Sequence, residues 1–137
     1  DAFELLQVDL DSRFVERFLQ TWGSDIVSWF PHFDWTNYAD PWRRALILRN
    51  AVPVGMCIYR IEADVACVEI DYVLASHRDR QNGQYFYSAL ARHLRGIGGT
   101  TIRARAELKG HRTYLKRLGF TAADDTHMRY DLTRADL

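Results

Sequence analysis

The succession of patterns from Val65 to Phe120 constrains this chain more than any other feature. An alternating, β-branched run over Val65–Leu74 is followed by a polar stretch from Ala75 to Asn82 and a glycine at position 83. From Gly83 to about Leu94 the pattern changes to a helical one, with Phe86, Leu90 and Leu94 recurring every fourth residue. Gly96, Gly98 and Gly99 end it, and a second β-branched run covers Thr100–Ala106. A short helix is predicted from about Gly110 to Leu118, ended by Gly119, and a last strand over roughly His127–Leu132.

Upstream, Ala45–Arg49 and Val54–Ile61 read as strands joined by a turn at Asn50–Pro53. A tight connection at Glu62–Asp64 leads into Val65, which makes the three strands antiparallel. In the third strand, Val68, Ile70 and Tyr72 are expected on one side, and Glu69, Asp71 and Val73 on the other. Strands and helices in this order give an α+β fold, a mixed sheet with helices on its faces.

The first third is organised differently. Residues 3–9 suit a short strand. Ser12 is a good N-cap for a helix whose aromatic stripe is Phe14, Phe18 and Trp22. Gly23 is expected to end it, with a shorter helix from Ser24 or Asp25 to Phe30, closed by Pro31. The aromatics Trp29, Phe30, Phe33, Trp35, Tyr38 and Trp42 then form a cluster able to line a pocket for an apolar or cationic group.

At 137 residues the chain is long enough for one domain with its own core. It carries 18 Lys+Arg against 18 Asp+Glu, a balance that argues against a nucleic-acid partner, since such binding needs surplus cations. A hairpin turn near Ala63 places Cys57 opposite roughly Glu69 or Ile70, so no disulfide with Cys67 is expected and a reduced, cytoplasmic setting is the simpler reading. No apolar run reaches the roughly 20 residues that span a bilayer. His32, His77, His93, His111 and His127 show no metal-ligand spacing, so no metal is expected. The chain begins at Asp1 rather than Met, which fits a piece of a longer protein with a fused segment before it.

The chemistry concentrates where the polar loop runs into a helix. A helix N-terminus presents unpaired N–H groups and the positive end of the helix dipole, which suits a phosphate or diphosphate. Arg78 and Arg80 add cationic donors, and Gly83 permits close approach of the backbone.

These residues resemble the GNAT superfamily of N-acyltransferases, whose diphosphate loop reads Arg/Gln-x-x-Gly-x-Gly/Ala. Here it reads RDRQNG from Arg78 to Gly83, with Gln81 at the middle glycine's place. The run HRDRQNGQYFY also resembles a subgroup whose loop reads YRDxKxGxFxY and equally lacks that glycine. The VPVG turn at Val52–Gly55, the VEIDYVL strand at Val68–Leu74 and YLKRLGF at Tyr114–Phe120 extend the similarity over about residues 43–132.

The resemblance implies a single domain, with residues 1–42 as a helical acceptor-side region and 43–132 as an acyl-CoA-binding core. It implies acetyl-CoA or another acyl-CoA as co-substrate and a small-molecule or peptide amine as acceptor, joined by direct transfer. Val73 and Leu74 would pair with the pantetheine arm as an added strand. The amides of Asp79, Arg80, Gln81, Asn82, Gly83 and Gln84 would hold the diphosphate, and Arg78 and Arg80 would contact phosphates or the adenosine end. Glu69 and Asp71, just before the strands are expected to splay, are the candidate general bases. In many such enzymes a tyrosine four residues before the Gly of Gly-Phe protonates the departing thiolate. Leu115 holds that place here, and Tyr114 is one step earlier, about 100° round the helix. With Gln81 and Leu115 both departing from the pattern, a non-catalytic acyl-CoA-binding regulatory domain stands as the alternative.

Overall fold

A computed structural model describes residues 2–78 and 81–133. The described strands are β1 (Phe3–Gln7), β2 (Arg43–Arg49), β3 (Val52–Glu62), β4 (Val65–Val73), β5 (Thr101–Arg105), β6 (Thr121–Ala122) and β7 (His127–Asp131). The helices are α1 (Arg13–Trp29), α2 (Gln81–Gly96) and α3 (Lys109–Arg117). The strands form one sheet in the order β1-β2-β3-β4-β5-β7-β6. Only β4 and β5 run parallel; the other neighbours are antiparallel. The crossover between β4 and β5 is α2, as a parallel pair requires.

Each face of the sheet has its own core. On one side α1 packs Val15, Phe18 and Ile26 against Leu46, Met56, Ile58, Ile70 and Tyr72. On the other, Phe86, Tyr87, Leu90 and Leu94 of α2 and Leu115 of α3 pack against Ala66, Val68, Ile102, Ala104 and Met128. Arrangement in two faced layers is what the alternating strand pattern demands.

Three sequence expectations are corrected. α1 is one helix of 17 residues that runs straight through Gly23. A β-carbon at Gly23 would meet nothing within 4 Å, so this glycine lies at an open position and imposes no break. The buried stripe also turns by one residue: Val15 is fully buried while Phe14 is 69% exposed. Ser12 is extended, as an N-cap should be, but makes no side-chain cap bond.

The third correction concerns β4. Its register with β3 steps from Ile58↔Ile70 to Tyr59↔Val68, leaving Glu69 without a partner. This β-bulge puts Val68 in the α2/α3 core and Ile70 and Tyr72 in the α1 core, so the three do not share a side. Beyond the bulge, Cys57 pairs with Asp71, and Cys67 pairs with Arg60; both thiols are free.

Candidate active site

β4 pairs with β5 only from Val65↔Thr101 to Val68↔Ala104. β5 ends at Arg105, so β4 from Glu69 onward has no β5 neighbour. Glu69 and Asp71 therefore stand past the splay rather than before it. A cleft of about 190 Å³ opens there, lined by Trp29, Phe30, Asp71, Tyr72, Val73, His77, Arg78, Gly83, Gly110, His111, Tyr114 and Arg117.

The backbone edge of β4 faces this cleft. Leu74 N–H donates to Val54 O of β3 at 2.9 Å, so that group is turned away from the cleft. Polar groups of successive residues alternate between the two edges of a strand, and the Val73 carbonyl points the other way. It accepts a 2.7 Å hydrogen bond from Arg78 Nε. The Arg78 guanidinium is further held 3.2 Å from Asp25 Oδ2 and lies over the rings of Trp29 (4.4 Å) and Tyr72 (5.6 Å). Tyr72 O–H donates to the same Asp25 oxygen. Arg78, although exposed, thus ties β4 to α1 across the cleft.

The first turn of α2 forms one end of the cleft. Asn82 is fully buried and its Nδ2 donates to His77 O at 2.8 Å, pinning the loop to the helix start. Gly83 is buried against Tyr114: a β-carbon there would overlap the tyrosine hydroxyl. Gln84 is exposed on the same turn. Asp79 and Arg80 lie outside the described residues, as does the Gln81 side chain. On α3 the cleft is lined by Gly110, His111, Tyr114 and Arg117, whereas Leu115 is fully buried in the core. The one-residue offset from the resembled pattern thus leaves a tyrosine on the cleft wall.

The two carboxylates of β4 lie in different surroundings. Glu69 Oε2 is 3.2 Å from His32 Nε2 and 3.6 Å from Arg105, and Glu107 is 3.7 Å from His32. Burial pushes the Glu69 carboxyl up, but His32 and Arg105 more than offset this and hold it below its ordinary value. Burial, with Glu69 nearby, drives the Tyr38 hydroxyl up to about 12.

Asp71 is buried at 8% exposure and accepts a 2.6 Å hydrogen bond from Tyr87 O–H. His111 Nε2 lies 2.8 Å from its Oδ1 and 3.0 Å from its Oδ2. Burial and the adjacent Asp71 charge push the Tyr87 hydroxyl well above its ordinary range, so it remains a donor. His111 is 7% exposed and meets the Phe30 ring edge-on at 5.2 Å. Sequence reasoning set His111 aside for want of metal-ligand spacing. The signal that could have found it is its place three residues before Tyr114, on the same helix face.

No protein-family model matches the sequence, and no curated protein matches it. Solved structures do. The mixed seven-stranded sheet with its splayed β4 and β5 is the GNAT acyl-CoA N-acyltransferase fold. Tetrahymena GCN5 superposes with a TM-score of 0.73 at 15% identity, over 98% of this chain and 99% of that one. An acetyltransferase from Thermus thermophilus gives 0.71 at 18% identity, covering 96% of each chain. The N-acetylglutamate synthase of Neisseria gonorrhoeae, solved with coenzyme A and N-acetyl-glutamate, gives 0.69 at 14% identity over 98% of this chain and 36% of that one.

Proposed function

We propose that this domain is an acyl-CoA-dependent N-acyltransferase that moves an acyl group directly to an amine. The observation that carries the reading is the open edge of β4 in a cleft that ends at a helix N-terminus. An extended, amide-bearing arm fits such an edge as an added strand, with Val73 as the pairing residue. Leu74, whose N–H is committed to β3, supplies packing rather than a hydrogen bond. A diphosphate suits the start of α2, where the amides of Gln81 to Gln84 have no preceding turn to bond. Tyr114, against Gly83, stands between these two ends and suits protonation of a departing thiolate.

Isothermal titration with acetyl-CoA tests the reading, followed by thiol release with a panel of primary amines. Saturable binding with turnover is expected. Absence of heat at millimolar acetyl-CoA, with no competition by CoA, would sink it. One observation favours the alternative of a non-catalytic acyl-CoA sensor: Arg78 occupies the Val73 carbonyl that the arm would use. Binding without turnover on any amine is the result that would select that reading.

A further inference from the structure

Two buried side-chain atoms of cleft-lining residues, Asp71 Oδ1 and His111 Nδ1, lack a hydrogen bond among the described residues; Oδ1 lies 2.8 Å from His111 Nε2, which leaves Nδ1 with no polar neighbour of its own. Among the described residues, His111 Nδ1 accepts no hydrogen bond and donates none. Its other ring nitrogen faces the Asp71 carboxylate. A carboxylate can only accept, so in the neutral ring it fixes the proton on Nε2 and leaves a lone pair on Nδ1. A buried nitrogen lone pair with nothing to bind is costly unless a ligand or water completes it.

We propose that His111, rather than either β4 carboxylate, is the group that takes the proton from the acceptor amine, with Asp71 and Tyr87 as positioning residues. The inference rests on the acyltransferase reading and deepens it. Glu69 is a weak competitor because it is already engaged by His32 and Arg105, which stabilise its ionised form and lower its basicity. Asp71 has both oxygens within bonding distance of His111 and Tyr87, so its lone pairs are directed at the imidazole and phenol. His111 lines the cleft from α3, one turn before Tyr114.

The step balances as follows. An ammonium proton passes to Nδ1, directly or across one water, and Asp71 stabilises the imidazolium. The freed amine forms a C–N bond to the thioester carbon, and the C–S bond breaks. The amine's second proton goes to the leaving sulfur through the Tyr114 hydroxyl. The imidazolium then returns its proton to solvent. The charged and titratable groups that share the cleft or the Asp71 cluster with His111 are Asp71 and Tyr72 from β4, Tyr87 from α2, His77 and Arg78 before α2, and Tyr114 and Arg117 on α3. Trp29 and Phe30, from the α1 side, bring no charge.

The test measures kcat against pH for the whole chain, with acetyl-CoA affinity by titration in parallel. His111→Gln is expected to lower kcat about 100-fold or more and to remove the acidic limb of the profile, while acetyl-CoA affinity stays within about threefold. Tyr87→Phe guards against misfolding of the first variant. Loss of its hydrogen bond makes Asp71 a stronger partner for the imidazolium, so the acidic limb should move to higher pH. Turnover and an acidic limb unchanged in both variants, or a larger loss in Glu69→Gln than in His111→Gln, would overturn the assignment. Failure of the wild-type chain to bind acetyl-CoA would instead overturn the acyltransferase reading, and this assignment with it.

Discussion

Glu69 and Asp71 stand two residues apart on one strand, yet they belong to different networks. Glu69, in the bulge, reaches His32 after α1 and Arg105 at the end of β5. Asp71 reaches Tyr87 on α2 and His111 on α3. The first carboxylate is held by the Arg105 guanidinium and the His32 imidazole, which stabilise its charge at some exposure to water. The second is buried and accepts hydrogen bonds from a phenol and an imidazole. Residue type alone gives both the same candidacy; their surroundings separate them.

The sharpest way to break this comparison is Asp71→Asn. The amide would no longer fix the Nε2 proton, and kcat should fall about 10²–10⁴-fold, measured by thiol release, with acetyl-CoA still bound. A fall smaller than tenfold would remove Asp71 from the chemistry. Next comes Gly83→Ala. A methyl group there must displace the Tyr114 hydroxyl, so about 1–3 kcal/mol of stability should be lost in denaturant titration, and kcat should fall by up to about 100-fold.

Glu69→Gln should change kcat less than about threefold at pH 8, since its carboxylate is outside the proposed proton path. Its effect is instead on acid stability. The folded-state value of Glu69 lies below its ordinary 4.5, so its contribution is present above that pH and is lost as pH falls through the folded value. Thermal melts below about pH 4.5 should therefore show the wild type losing more stability than the variant. The smallest effect belongs to Phe14→Ala on α1, within about 0.5 kcal/mol, because the ring is 69% exposed. A larger loss would mean that Phe14 is covered in solution.

The framework from Val65 to Phe120 was legible because local rules decide it. Period-2 runs made β4 and β5, the fourfold recurrence of Phe86, Leu90 and Leu94 made α2, and Gly119, with φ 105°, ended α3. The continuity of α1 was not legible at Gly23. A glycine signals a break only when tertiary contacts do not override it, and here Ile26 and Phe30 are buried beyond it. Nor was the bulge legible, because Glu69 is polar and half-buried whichever way the strand is counted. The Asp71–His111 pair bridges 40 residues of sequence, beyond any local pattern. Tyr114 was a candidate for a place that Leu115 holds in the sequence; its position on the cleft wall follows from how α3 packs against Gly83 of α2.

The bulge at Glu69 carries an arithmetic consequence. Val68 already faces Tyr59, and Ile70 already faces Ile58, so the ladder on either side is complete without the residue between them. Deleting Glu69 would leave every apolar side chain of β4 on its present face. What would disappear is the local bend that an extra residue imposes. A chain one residue shorter should keep its core. In this strand, one extra residue is why Val68 and Ile70 serve different cores.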